Sequence, residues 1–395
     1  MDAALKVGEE QATYTLWRLT RYFLRLGTLG FGGPVALVGY MHRDLVEQRH
    51  WITEADYKEG LALAQLAPGP LAAQLAIYLG YVHYRVLGAT LVGLAFVLPS
   101  FVMVVALGIA YTTYGGLAWM QAVFYGVGAC VIGIITHSAY KLTRRSIGTD
   151  KLLWSIFLIS AAVTISTESE EVLLFLLAGA VVWLVKAPPK IFAQKVPLAG
   201  IVPLPFLAQI AQKASVDPNT LWNIALFFAK AGAFVFGSGL AIVPFLYTGV
   251  VRDFGWLNER QFLDAVAVAM ITPGPVVITV GFIGYLVAGF PGASVAALAT
   301  FLPCYLFTIL PAPYFKKYGK RRDIAAFVEG ITAAAVGALS GAVVVIATRS
   351  IRDLPTILIA VVTLAILWKT KKVPEPVLIV IAAAIGLVIY PLVTP

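Results

Sequence analysis

Long apolar runs separated by short polar ones dominate this 395-residue chain. Runs of membrane-spanning length lie near 57–82, 86–111, 117–140, 152–166 and 171–187, and again near 261–288, 293–314, 324–348, 353–368 and 376–394. A helix rising ~1.5 Å per residue needs about 20 apolar residues to cross ~30 Å of hydrocarbon, so these runs predict helices whose solvent is lipid. Two further apolar segments, 16–40 and 221–247, are broken centrally by glycine, as Gly27-Thr-Leu-Gly30-Phe31-Gly32-Gly33-Pro34 and as Gly232-Ala-Phe-Val-Phe236-Gly237-Ser238-Gly239. The pieces flanking each break are too short to span. They read as re-entrant hairpins with glycine tips, because non-helical backbone at membrane depth survives only where protein or a water-filled cavity satisfies it. The competing arrangement lets both segments cross and adds a crossing near 198–212.

The runs come in two matching sets. Trp17 pairs with Trp222, Gly27 with Gly232, Phe31-Gly32 with Phe236-Gly237, Glu54 with Glu259, and Pro68-Gly69-Pro70 with Pro273-Gly274-Pro275, all 205 positions apart. One residue then drops out, and Gly80 pairs with Gly284, Gly88 with Gly292, Pro99 with Pro303, Gly126 with Gly330 and Gly133 with Gly337 at an offset of 204. The chain is read as one unit used twice, residues 1–195 and 220–395, joined by 196–219. A long apolar duplication points to a secondary transporter.

Composition agrees with lipid as the solvent: 60% of residues are hydrophobic and 12% charged, with mean hydropathy +0.87. The amino-terminal Met1–Thr15 is polar and mixed in charge, so insertion is expected to rely on the spans themselves. Basic loops orient the spans, since short Lys/Arg-rich loops stay cytoplasmic. Lys141, Arg144, Arg145 and Lys151 go inside, as do Lys186, Lys190 and Lys195, with Glu168, Glu170 and Glu171 outside. In the second half Lys316, Lys317, Lys320, Arg321 and Arg322 claim the cytoplasm with Lys369, Lys371 and Lys372. The counterpart of the Lys316 cluster is the uncharged loop 111–117, placed outside, so equivalent loops face opposite sides. The expectation is an all-α polytopic membrane protein of two inverted-topology repeats, with about 10 full spans plus two glycine-tipped hairpins, and 12–13 spans as the alternative.

Helix breaks matter because a helix amino terminus presents unpaired N–H groups and about half a positive charge, which together favour anions. Besides the glycine tips, the chain breaks at Ala67-Pro68-Gly69-Pro70 and Thr272-Pro273-Gly274-Pro275, where proline ends one half-helix and starts another. Read structurally these are plain kinks; their recurrence beside a second break in both halves favours a binding role. The candidate anion site comprises Gly30, Phe31, Gly32, Gly33, Pro68, Gly69 and Pro70 with Phe236, Gly237, Ser238, Gly239, Pro273, Gly274 and Pro275. Arg25 and Lys230, each two residues before a repeated glycine, either line the anion route or snorkel to an interface. Gln65, Gln74 and Thr279 flank the Pro-Gly-Pro breaks and donate either to an oxyanion or to neighbouring backbone. Thr53-Glu-Ala-Asp56 and Asn258-Glu-Arg-Gln261 resemble capping boxes, which gives Glu54 and Glu259 a helix-end role. Glu59 and Asp264 lie deeper in their helices and, with Glu329, are candidates for carrying a coupling proton, the alternative being structural ion pairs. Cys130 and Cys304 read as small core residues, and His137 as interfacial.

No phosphate loop, metal-ligand spacing or nucleophile elbow is present, so neither an enzyme nor a cofactor is expected. The net charge of +9 reflects loop bias rather than nucleic-acid binding. The motifs Gly27-Thr-Leu-Gly-Phe-Gly-Gly-Pro34, Trp51-Ile-Thr-Glu-Ala-Asp-Tyr57, Leu63-Ala-Gln-Leu-Ala-Pro-Gly-Pro70, Gly80-Tyr81 and Leu98-Pro99-Ser100, with their second-half echoes, resemble the chromate ion transporter family over nearly the whole chain. The resemblance implies a multi-pass protein of the bacterial inner membrane that exports chromate and confers resistance. It also implies sulfate as the competitor of similar shape and two homologous domains of opposite orientation. The second copy departs at Ser238-Gly239 for Gly33-Pro34 and at Met270 for Gln65. A sulfate or other oxyanion importer, an anion channel and a non-transporting scaffold are the alternatives; the partners are then the lipid bilayer and the oxyanion, with a homodimer left open.

Overall fold

A computed structural model of the chain describes residues 14–31, 33–114, 118–167, 172–188, 220–233, 242–318, 322–351, 353–370 and 373–393. Among them every regular element is helical. The first half holds α1 (Leu16–Leu29), α2 (Gly33–Met41, continued by a π-helical turn to Gln48), α3 (Glu54–Leu66), α4 (Leu71–Tyr114), α5 (Ala118–Ile147), α6 (Lys151–Thr167) and α7 (Val172–Lys186). The second holds α8 (Thr220–Ala233), α9 (Val243–Tyr247, continued by a π-helical turn to Asp253), α10 (Glu259–Ile271), α11 (Thr279–Ile309), α12 (Ala312–Tyr318), α13 (Arg322–Ser350), α14 (Leu354–Lys369) and α15 (Glu375–Val393). Five stretches are long and apolar enough to cross a bilayer: 71–114, 118–147, 276–315, 322–348 and 375–393, with 151–167, 173–186 and 354–369 shorter.

The duplication extends to backbone geometry. His50 and Gly255, 205 positions apart, share left-handed φ values of 52° and 60°. Gly69 and Gly274 follow at 143° and 96°. Arg85 (φ 50°, ψ −140°) and Gly289 (φ 62°, ψ −153°) make the same elbow 204 positions apart.

Three turns reverse the chain in the first half, and the last of them recurs in the second. The Tyr22 hydroxyl donates to the Tyr40 carbonyl at 3.3 Å, so α1 and α2 fold back about Gly30, as the glycine-break reading expects for this segment. The apolar run 57–82 differs from its expectation as a single span. Gly60 abuts the ring of Tyr78 and the Tyr78 hydroxyl donates to Glu59 Oε1 at 2.8 Å, contacts that a straight helix would hold ~27 Å apart. Pro68 and Pro70 interrupt the helical ladder and Gly69 supplies the left-handed φ, so α3 and the start of α4 form a hairpin. The chain then turns again at Arg85, where the backbones of Gly80 and Gly88 touch. Gly284 and Gly292 touch in the same way.

Repeated glycines also mark where helices approach closely, since small residues let backbones meet in apolar surroundings. Gly27 of α1 abuts the Phe96 carbonyl of α4, and Gly232 of α8 abuts the Thr300 carbonyl of α11. The other glycine pairs tie one half to the other: Gly126 and Gly133 of α5 lie against α15 at Ala382 and α14 at Ala360, while Gly330 and Gly337 of α13 lie against α7 at Ala178 and α6 at Phe157. The last helices of each half thus pack on the central helix of the other. Cys130 and Cys304 are free and buried.

Candidate functional site

The helix breaks of the two halves meet in the buried centre. The Gly274 N–H donates to the Gly30 carbonyl at 3.0 Å. The Ser100 hydroxyl, from the middle of α4, donates to the Pro273 carbonyl at 2.7 Å, and the Gly27 carbonyl lies 3.4 Å from the same oxygen. A Cβ on Gly274 would land on Ser100 Oγ. The counterpart contact has Cys304, 204 positions after Ser100, 3.1 Å from where a Cβ on Gly69 would stand. Each Pro-Gly-Pro turn therefore packs against a small side chain on a long span of the opposite half.

The local surroundings of the turns are apolar and closed. Thr272 to Gly284 are buried without exception, as are Gly69 to Gly80. Gln74 is fully buried; its Nε2 donates to the Pro68 carbonyl at 2.8 Å, while its Oε1 is buried without a hydrogen-bond partner. Thr279 donates to the Val276 carbonyl at 2.8 Å and so satisfies backbone.

The candidate cations lie elsewhere. Arg25 is exposed on α1, and Lys230 is exposed on α8 with Nζ 5.7 Å from the Phe245 ring centre. Gln65 is likewise exposed, Phe31 is partly so, and Gly33 has a φ of 72°. Gly32 and Phe236-Gly237-Ser238-Gly239 lie outside the described residues.

The capping expectation holds in detail at α10, where Asn258 and Gln261 exchange side-chain and backbone bonds at 2.9 and 3.0 Å. At α3 the Thr53 hydroxyl accepts the Asp56 N–H at 3.0 Å. Glu54 and Glu259 each contact the same repeat position, His42 at 2.9 Å and Tyr247 at 3.0 Å. The His42 hydrogen bond, followed by Lys58, holds the Glu54 carboxyl below its usual range.

The three deeper carboxylates separate clearly. Glu59 accepts from Tyr78. Glu329 is exposed and meets Lys186 at 2.8 Å, which also meets Asp150 at 2.5 Å, linking α13 to α6 and α7. Asp264 is 2% exposed and accepts from the Tyr111 hydroxyl of α4 at 2.7 Å. Beside it opens a cavity of about 260 Å³ between α5, α10, α14 and α15, lined by Tyr125, Glu259, Arg260, Asp353 and Tyr390 among others. Sequence reasoning missed Ser100, Tyr111 and Arg260 as site residues. Ser100 carried a signal, since its repeat position is occupied by the equally small Cys304; Tyr111 carried none, because its partner is 153 positions away.

An apolar all-helical bundle whose buried centre is made of folded-back, proline-broken helices is a polytopic membrane protein of the transporter class. The family model described as Chromate transporter matches residues 17–184 and 222–387, and the chain belongs to that family. A chromate transport protein of Cupriavidus metallidurans is 70% identical over 381 residues, 96% of this chain and 94% of the relative. A probable chromate transport protein of Synechococcus elongatus is 66% identical over 378 residues, 95% and 96% of the two chains. A chromate transport protein of Pseudomonas aeruginosa is 29% identical over 385 residues, 93% and 91% of the two chains. No solved structure matches the chain.

Proposed function

We propose that this protein exports chromate across the bacterial inner membrane by secondary transport and so confers chromate resistance. The observation that carries the site is the meeting of the two halves' helix breaks, with Gly274 of one hydrogen-bonded to Gly30 of the other. The chromate assignment draws its support from the relatives, above all the 70% identical chromate transport protein.

In this reading the two halves are inverted repeats, residues 1–195 and 220–395, that alternate in exposing a central site. The oxyanion replaces the contact that now closes that site: main-chain N–H groups at Gly30–Gly33, at 237–239 and at the two Pro-Gly-Pro turns donate to its oxygens. Fixed dipoles then stand in for water. Gly274 N–H, held at present by Gly30, is the first such donor. Arg25 and Lys230 attract the anion along its route from their exposed positions beside the breaks. Glu59, Asp264 and Glu329 are the carboxylates available for coupling. A potential negative inside drives anion exit by about 2.3 kcal/mol per charge per 100 mV, so a dianion needs little further drive to leave the cytoplasm.

The test is radiolabelled chromate movement in proteoliposomes, with sulfate as competitor, for the unaltered chain, Arg25→Gln and Lys230→Gln. Saturable chromate transport with counterflow, reduced at least tenfold in both variants while folding persists, supports the reading. Sulfate transport without chromate transport removes the export assignment.

A further inference from the structure

The duplication makes the two ends of the bundle comparable residue by residue, and they differ in charge. At one end Lys186 bridges Asp150 and Glu329. At 204 positions' distance Lys186 and Glu329 correspond to Tyr390 and Tyr125, and Asp353 caps α14 as Asp150 caps α6, 203 positions apart; there the Tyr125 hydroxyl donates to Asp353 Oδ2 at 2.7 Å and the two phenol rings lie 5.4 Å apart. These clusters sit at opposite ends of α5, since Tyr125 lies in its second turn and Asp150 just past its last residue, ~37 Å along the axis. One end is closed by an ion bridge. The other has phenols in place of the lysine and the glutamate, and holds the 260 Å³ cavity.

The chemistry of that cavity excludes an oxyanion as its ligand. It carries three carboxylates, Glu259, Asp264 and Asp353, against one guanidinium, Arg260. Arg260 donates to the Gln121 carbonyl at 2.9 Å and lies 6.0 Å from the Tyr390 ring centre. A chamber with that balance gathers cations. At its floor Asp264 is enclosed by Phe262, Leu263, Ala265, Val266, Ala267 and Val268 of its own helix, all buried. Among the described residues no lysine or arginine nitrogen lies within 4.0 Å of it. Its hydrogen-bond donor is Tyr111, whose ring packs 5.6 Å from Phe282 and 5.3 Å from Phe124. An ionised carboxylate with one phenol partner in such surroundings is costly, and a proton relieves the cost.

The other half inverts the phenol arrangement. There Glu59 takes its hydrogen bond from Tyr78, at the position of Phe282, while Phe315 stands at the position of Tyr111. Glu59 also retains partial exposure where Asp264 has almost none, and Ala55 replaces Arg260. In the second half the carboxylate lies buried beside a charged cavity and takes its hydrogen bond from a tyrosine of the opposite half, whereas Glu59 takes its own from Tyr78 of the same half.

Resting on the transport reading above, we propose that Asp264 is a proton-binding site, reached through the Arg260 cavity and gated by Tyr111, which couples proton entry to anion exit. One proton passes from hydronium in the cavity to a carboxylate oxygen of Asp264. The Tyr111 hydroxyl thereby loses its charged acceptor, and the contact between α4 and α10 loosens. The groups facing this step are Tyr111 from α4, Tyr125 from α5, Glu259 and Arg260 from α10, Asp353 capping α14 and Tyr390 from α15.

Two measurements on the full-length protein test this. Infrared difference spectra of the reconstituted protein across pH, without any anion, should contain a protonated-carboxyl C=O band that disappears in Asp264→Asn and moves its pH midpoint in Tyr111→Phe. Chromate-loaded proteoliposomes with the potential clamped should show proton entry during chromate exit, reduced at least tenfold in Asp264→Asn, with the residual exit independent of external pH. A carboxyl band unchanged in Asp264→Asn overturns the proposal whatever the transported anion. Proton entry that persists at the wild-type rate in Asp264→Asn overturns it as well. A band that behaves as expected in a protein that does not move chromate leaves the proton site standing and overturns the substrate assignment.

Discussion

The contact between Gly274 and Ser100 allows a double-mutant test of the central junction. In Gly274→Ala the new residue must hold a φ of 96°, a left-handed conformation that costs an L-residue ~1–2 kcal/mol. Its methyl also lands on Ser100 Oγ, and overpacking of this kind costs about 1–3 kcal/mol. Ser100→Ala alone removes the 2.7 Å bond to the Pro273 carbonyl, worth ~1 kcal/mol net. The double variant retains the φ cost, the lost bond and a tight methyl contact, with the Ser100 Cβ at 3.2 Å and the Gly27 carbonyl oxygen at 3.3 Å, but not the overlap with the Ser100 hydroxyl. Summed singly the two changes cost about 3–6 kcal/mol, whereas the double variant should cost only about 2–3 kcal/mol. The difference, ~1–3 kcal/mol, is the coupling between the two residues. The assay is the folded fraction of purified protein after graded heating in detergent, for the wild type, both single variants and the double variant. Ser100→Ala should partly rescue Gly274→Ala, and strict additivity of the two changes would refute the geometry of the junction.

Further expectations follow from other contacts. Arg85→Gly, which copies the residue at the matching elbow Gly289, relieves a left-handed φ of 50° and should raise detergent thermal stability by ~1 kcal/mol, with Gly289→Arg lowering it. Lys186 holds the Asp150 carboxyl below its usual range. That contribution is present at neutral pH and is lost as pH falls through the depressed value, so Asp150→Asn should cost at most ~1 kcal/mol at pH 7 and converge with the wild type once acid has protonated the carboxyl. Gly126→Leu and Gly330→Leu drive side chains into the carbonyls of Ala382 and Ala178. Each should destabilise by more than about 2 kcal/mol, read as loss of monodisperse protein on size exclusion.

Much of this architecture was readable from residue patterns, and what escaped did so for physical reasons. The duplication, the apolar helices and the Asn258 cap depend on local chemistry and on spacing, both of which the linear chain carries. The fold-back at Pro68-Gly69-Pro70 escaped because a proline break ends a helix without saying whether the next piece continues or reverses; that is decided by Gly60 fitting the ring of Tyr78. Recurrent glycines such as Gly126 and Gly330 were visible, but their purpose depends on helices more than 140 positions away. Arg25 and Lys230 drew attention by repeating beside a glycine break, yet helical rotation turns both side chains outward. Arg260 has no counterpart in the first half, so a search guided by recurrence passes over it.

The exchange of helices between halves has a consequence for the order of biosynthesis. The face of α5 that receives Ala382 and Ala360 is complete once residue 147 has been made, but its partners, from residue 360 onward, are made more than 200 residues later. Throughout synthesis of the second half, α5 therefore rests against lipid or against the insertion machinery along a surface shaped for other helices. The most distant sequence contacts close last, and the topology is slow for the same reason that any non-local pairing is slow. A chain cut short after α13 would keep the ion bridge of Lys186 yet leave the Gly126 and Gly133 face of α5 uncovered, which makes the docking of α14 and α15 the step that commits α5 to its assembled place.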